Sequence, residues 1–258
     1  LHDALPILLD PRASADAHAR QRAALAAAAL PADAAIVLFT SGSTGAPKGV
    51  VLGRAALAAA AAASAAHLGW RADDAWLVAL SLAHAGGLAI VIRCLAGRRP
   101  IVLADPARPL AADLARATLA SLVPTQLAAL LDDPAWRPPP GRRAVLLGGA
   151  AADPTLLARA AARGVPILTT YGMTETFGQI ATAPLARAGD PAAPLVPLPG
   201  VELTAGTAAA PAPICVRAPM LATAYLDGAP IAPAFTTADL GYLDGGALVI
   251  RGRRDDMI

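Results

Sequence analysis

The chain has 258 residues, 56% of them hydrophobic, 16% charged and 3% aromatic, and its 21 Lys and Arg against 19 Asp and Glu give a formal net charge of +2. That length supplies one large or two ordinary domains with ample chain for a buried core, and a small, dispersed basic excess with few aromatics argues against a nucleic-acid partner. Cys94 and Cys215 lie far apart, with no CxxC and no His cluster beside them, which excludes a disulfide framework, a zinc site and an iron–sulfur site.

Residues 1–33 read as an N-terminal remnant. The chain opens without Met, shows no cleavable leader pattern, and stops at residues 255–258 without a capping Gly or a polar tail, so it reads as a piece of a longer cytoplasmic protein. From residue 34 onward, short β-rich apolar runs alternate with Ala/Leu helical patterns, which predicts an α/β fold with a parallel sheet. Strands are expected at 35–40, 76–80, 100–103, 119–123, 143–147 and 165–169, and helices at 54–67, 87–96, 110–117, 125–131 and 154–163. The uncharged run 75–92 reaches the lower limit of a spanning helix, but Ser81, His84 and Gly86-Gly87 interrupt it, so no membrane span is expected. After about residue 188 the texture changes to Pro191, Pro194, Pro197 and Pro199 followed by strand-like pieces at 214–217 and 247–251. The expected organisation is therefore an α/β subdomain at 34–188 and a smaller β-rich subdomain at 189–258.

Scarcity singles out two side chains. Lys48 is the only lysine, and Glu175 and Glu202 are the only glutamates, in a chain that otherwise uses Arg and Asp. Lys48 closes a loop in which the strand ending at Thr40 runs into Ser41, Gly42, Ser43, Thr44, Gly45, Ala46 and Pro47. Three glycines let backbone N–H groups turn inward, the hydroxyls add donors and Lys48 adds charge, which are the parts of a polyphosphate cradle. Pro47 and Gly49 flank the lysine where a Walker loop needs Gly and Ser or Thr, so it is not that motif.

The strand expected at 165–169 delivers Tyr171, Gly172, Met173, Thr174 and Glu175 to the carboxyl edge of the sheet, where α/β folds bind ligands. A tyrosine there can stack on a base, a threonine can donate to a phosphate, and a carboxylate can hold Mg²⁺ against phosphate oxygens. The strand expected at 143–147 ends in Gly148, Gly149 and Ala150, where backbone can approach a flat ring. Asp239 can accept two ribose hydroxyls, and Arg253 can sit beside a phosphate or the ribose.

In this order, residues 40–49, 171–175, 237–239 and 252–256 closely resemble the adenylate-forming superfamily of acyl-CoA synthetases, peptide-synthetase adenylation domains and luciferases. Within it, residues 81–88, 121–127 and 171–176 are most similar to the o-succinylbenzoate–CoA ligases of menaquinone biosynthesis. The departures are Ala238, Ala218 and Ala224 at positions where glycine is usual, and Phe177-Gly178 before Gln179. The resemblance implies a small carboxylic acid, ATP with Mg²⁺, and CoA as co-substrate. The acid is first joined to AMP with release of pyrophosphate, and CoA then takes the acyl group. It assigns residues 41–48 to the β- and γ-phosphates, Thr174 to the α-phosphate, Glu175 to Mg²⁺, Tyr171 with residues 148–150 to adenine, and Asp239 and Arg253 to ribose. It assigns His84, with Thr176 and Gln179, to the acid and Asp255 to the hinge of a mobile C-terminal domain. A domain that loads a carrier protein and a nucleotide-binding fragment are the alternatives, and a homo-oligomer is compatible with either.

Overall fold

The computed structural model describes residue 10, residues 12–40 and residues 48–254. Helix α1 (Ala15–Ala27) starts at Ser14, whose hydroxyl accepts the Ala17 amide, and fills part of the stretch read as a remnant. Strands β1 (Ala34–Thr40) and β2 (Lys48–Gly53) pair antiparallel with Thr40 opposite Lys48, so the two ends of the glycine-rich loop are held side by side. Helix α2 (Arg54–Leu68) is two-thirds alanine; it buries Ala56, Leu57, Ala60, Ala61, Ala63, Ser64 and Leu68 and ends at Gly69, whose φ is 58°.

Four strand–helix repeats and a closing strand follow: β3 (Trp76–Val78), α3 (Ala85–Gly97), β4 (Ile101–Leu103), α4 (Leu110–Leu114), β5 (Leu119–Leu122), α5 (Pro124–Asp132), β6 (Ala144–Leu147), α6 (Pro154–Ala162) and β7 (Ile167–Met173). Pro124 and Pro154 each open a helix, and Asp153 caps the second by accepting the Thr155 amide at 2.7 Å. Strands β8 (Gly178–Thr182) and β9 (Val196–Pro197) then turn back antiparallel, completing a seven-stranded sheet in the order β4-β3-β5-β6-β7-β8-β9. The run 75–92 that had to be weighed as a membrane span is divided between β3 and α3, and no helix among the described residues is long and apolar enough to cross a membrane.

The remaining strands are β10 (Glu202–Thr204), β11 (Ala212–Arg217), β12 (Ala224–Tyr225), β13 (Phe235–Asp244) and β14 (Ala247–Arg253). Four of them form an antiparallel sheet, β10-β11-β13-β14, while β12 leaves it to pair with β2 in a third sheet, β1-β2-β12. The fold is α/β with a smaller β-rich part, as its sequence implies, but three placements correct the expectation. The strand before the glycine-rich loop, β1, belongs to the small antiparallel sheet and not to the parallel one. The strand expected at 165–169 runs on through Met173, so Tyr171 lies within it and not beyond its end. The division expected at residue 188 is crossed twice, by β9 and by β12. One apolar core explains the crossing, since Leu38, Val50, Leu52, Leu88, Phe177 and Ile180 pack with Ile214, Val216 and Met220.

Candidate functional site

The site lies where β2, β7, β12, β13 and β14 converge. Between β7 and β8 the chain makes one turn of 3₁₀ helix, Thr174–Thr176, which leaves through Phe177 at a left-handed φ of 50°. A buried aromatic in that region is strained, and the turn is held against the strain by its own bonds. The Thr176 hydroxyl accepts from the Met173 amide at 3.2 Å and donates toward the carbonyls of Met173 and Gly178. Gly172 permits the tight return, since a Cβ there would fall 1.7 Å from the Gly178 carbonyl oxygen. The turn thereby presents Glu175 half-buried at the carboxyl end of the sheet.

Glu175 Oε1 accepts a hydrogen bond from the Tyr225 hydroxyl at 3.1 Å, and the ammonium of Lys48 lies 5.5 Å from the centre of the same ring. The two side chains singled out by scarcity thus meet at one tyrosine, which the sequence reading missed. Its signal was available, for the chain has only three tyrosines. Burial and the neighbouring Glu175 carboxylate raise the Tyr225 pKa, so the phenol keeps its proton and donates. Thr40 faces Lys48 across the β1–β2 pair.

A second group gathers on β7, β13 and β14. The Tyr171 hydroxyl donates to Asp239 Oδ2 at 2.7 Å, and Asp239, paired in register with Arg253, has its Oδ1 3.6 Å from the guanidinium. Burial, then the bond to Asp239, raises the Tyr171 pKa. The Asp239 amide is held by the Thr237 hydroxyl at 3.1 Å, which fixes the backbone carrying the carboxylate. Gly148 follows β6 with its amide on the Leu122 carbonyl, and a Cβ there would lie 2.8 Å from the Thr170 methyl. Ala150, Thr169, Thr170, Leu195 and Ile250 help to line a cavity of about 520 Å³ next to it.

The three residues expected to meet the acid are placed in different settings. Thr176 is fully buried, with its hydroxyl committed to its own turn. Gln179 is buried in a polar relay in which Ser64 donates to its Oε1 at 3.1 Å, its amide donates to Thr182, and Thr182 donates to Thr170 at 3.0 Å; it ties α2 to β8 and β7. His84 stands at the N-cap of α3 with Nε2 3.1 Å from both Asp10 Oδ2 and Arg12 Nη2, in a solvent-facing cluster. Ser41, Gly42, Ser43, Thr44, Gly45 and Asp255 lie outside the described residues.

The site therefore offers one cation, one half-buried carboxylate and, on neighbouring strands, an aromatic ring beside an acid–guanidinium pair. Among the described residues no group of three metal-binding side chains exists. A lone carboxylate such as Glu175 nevertheless suits Mg²⁺, which is held by one or two carboxylates together with phosphate oxygens and water.

The profile of the AMP-binding enzyme family matches residues 3–226. The 2-succinylbenzoate–CoA ligase of Geobacillus kaustophilus is 36% identical over 246 residues, covering 88% of this chain and 50% of that protein. The enzyme of the same description from Lactococcus lactis is 34% identical over 232 residues, covering 87% and 51%. Among solved structures, o-succinylbenzoate CoA synthetase (MenE) from Bacillus subtilis with the acyl-adenylate OSB-AMP superposes with a TM-score of 0.78 at 31% identity, covering 88% of this chain and 51% of that one. The same protein with ATP and magnesium gives 0.77 at 32% identity, covering 89% and 52%. The chain thus spans about half the length of the relatives it matches.

Proposed function

The chain belongs to the AMP-binding enzyme family, and from that premise we propose that it supplies the nucleotide site of an ATP-dependent acid–CoA ligase acting on o-succinylbenzoate. The observation that carries the reading is the meeting of Lys48 and Glu175 at Tyr225, which gathers a cation and a carboxylate at one place where a metal-bound polyphosphate needs both. Tyr171, Asp239 and Arg253 stand on the adjoining strands with the chemistry of a nucleoside site.

In this scheme the acid's carboxylate oxygen attacks the α-phosphorus of ATP, the bond to the β-phosphate bridging oxygen breaks, and pyrophosphate leaves. The CoA sulfur then attacks the acyl carbon, AMP leaves with the former carboxylate oxygen, and the thiol proton goes to solvent. Lys48, with residues 41–45, offsets charge on the β- and γ-phosphates, and Thr174 donates to the α-phosphate. Glu175 would hold Mg²⁺, which would neutralise phosphate charge when bound. Tyr171 with Gly148, Gly149 and Ala150 takes the adenine, and Gly172 and Met173 border the nucleotide. Asp239 accepts the ribose hydroxyls beside Arg253. Asp255 marks the hinge, and the protein works on small molecules in the cytoplasm, without nucleic acid.

The choice of acid rests on the relatives, because Thr176 and Gln179 are spent inside the fold. Pyrophosphate release across a panel of carboxylic acids, using the longest natural reading frame that carries this chain, tests the whole reading. o-Succinylbenzoate is expected to give the highest kcat/KM and a CoA thioester. Preference for fatty acids would overturn the acid assignment, and absence of ATP-dependent release with every acid would overturn the ligase.

A further inference from the structure

Tyr225 has no role in the scheme above, yet it touches both of the charged groups on which that scheme depends. It sits in the two-residue strand β12, on a strap that the β-rich part of the chain sends across to β2. Four backbone bonds pin this strap. The Thr223 amide donates to the Val51 carbonyl at 2.9 Å, and the Leu226 amide to the Gly49 carbonyl at 2.7 Å. The Tyr225 amide bonds the Ala229 carbonyl at 2.8 Å, and the Ala222 amide bonds the carbonyl of Glu175 itself at 2.7 Å. One short segment is thus fastened to the strand that begins with Lys48 and to the turn that carries Glu175. Close packing confirms the fit, because a Cβ on Gly49 would come within 2.8 Å of Leu226 Cβ.

The ring then completes with side chains what the strap does with backbone. Lys48 and Glu175 carry opposite charges on elements brought close together, and with nothing between them such groups pair with each other. A paired lysine has lost charge to offer a phosphate, and a paired carboxylate has lost an oxygen to offer a metal. The ring face gives the Lys48 ammonium a seat that is not a carboxylate. The hydroxyl occupies one Glu175 oxygen as a donor and leaves acceptor capacity on the rest of the carboxylate.

We propose that Tyr225 is a positioning residue that keeps Lys48 and Glu175 adjacent but unpaired, so that one faces the polyphosphate and the other its Mg²⁺. The inference rests on the nucleotide reading given above. It goes beyond that reading in predicting that the phenol hydroxyl serves the metal and the ring serves the phosphate chain, while neither serves the nucleoside.

Equilibrium titration of the protein with MgATP, with ATP in the presence of a chelator, and with AMP separates these roles. Tyr225→Phe, which keeps the ring, is expected to weaken MgATP binding about fivefold, the size of a half-exposed hydrogen bond to a charge, and to leave metal-free ATP and AMP within about twofold of the wild type. Tyr225→Leu, which removes ring and hydroxyl, is expected to weaken both forms of ATP and again to spare AMP. A Tyr225→Phe protein that binds all three ligands like the wild type would overturn the proposal. So would affinities for MgATP and AMP that fall together, the mark of a merely structural residue. A wild-type protein that binds none of the three would overturn the nucleotide reading itself, an outcome distinct from either. Should the leucine variant fail to fold, the phenylalanine variant decides alone.

Discussion

Opposite charges are held in two different ways at the two ends of the seven-stranded sheet. At the amino ends of β3, β5 and β6, Asp74 and Arg143 form a forked pair at 3.0 and 2.7 Å, with side chains 0% and 6% exposed. Each oxygen of the carboxylate accepts two hydrogen bonds. Asp74 also accepts the Arg71 amide at 2.7 Å and the Thr118 hydroxyl at 2.9 Å, and Arg143 donates again to the Leu68 carbonyl. At the carboxyl end, Glu175 is half-buried and accepts the Tyr225 hydroxyl at 3.1 Å, and on the adjoining four-stranded sheet the half-buried Asp239 accepts the Tyr171 hydroxyl at 2.7 Å and lies 3.6 Å from the exposed Arg253. A saturated, dry pair joins three elements and has nothing to give a ligand, whereas the open groups have little to give stability and can exchange partners.

Breaking the dry pair is the strongest test of this contrast. Asp74→Ala leaves the Arg143 guanidinium buried without its counter-ion and is expected to lower unfolding stability by about 3 to 5 kcal/mol, measured by urea titration. Burial alone would raise the Asp74 pKa, but the Arg71 amide, the Arg143 guanidinium and the Thr118 hydroxyl outweigh it and hold the pKa below the ordinary carboxylate value. A lowered folded-state pKa means that this stabilisation is complete above the unfolded value of about 4 and is lost as pH falls through the folded value. The acid limb of the wild-type stability curve should therefore flatten in Asp74→Ala.

The open end is expected to respond in rate and not in stability. Lys48→Ala and Glu175→Gln should each lower kcat/KM for adenylate formation by about tenfold or more in the whole protein, while urea midpoints stay close to the wild type. Unchanged kinetics in both would sink the phosphate-site assignment.

Arg142, next in sequence to Arg143, sharpens the comparison from the other side. Its three guanidinium nitrogens are buried without a hydrogen-bond partner among the described residues, and burial pulls its pKa down to about 10. Arg142→Met should raise stability by about 1 kcal/mol, because it removes an uncompensated buried group. A loss of stability would show that the charge has found a partner.

The smallest effect is expected at Tyr171. Tyr171→Phe removes the hydroxyl from Asp239 but keeps the ring, so AMP affinity should change by about threefold at most, against a larger loss for Asp239→Ala.

Much of this was legible in the residues. Alternation of apolar runs with Ala/Leu stretches sufficed for the α/β class, and the five expected helices start and stop close to their expected positions because caps such as Asp153 and Gly69 act locally, while α1 was not expected. The single lysine and a glutamate at the end of a strand marked Lys48 and Glu175 through composition alone. What the sequence could not show is which distant positions touch. Tyr225 reaches Glu175 across 50 residues and Tyr171 reaches Asp239 across 68, and both contacts depend on strand order. The same holds for β1, whose apolar run looks like any parallel strand until β12 returns to flank β2. Thr176 and Gln179 read as pocket residues because a polar side chain beside a ligand motif looks alike whether it faces a cavity or a buried turn. Local chemistry and periodicity are written in neighbouring residues, so the sequence determined them. The partners of a polar group follow from how sheets pack over one core, and only the tertiary structure decided those.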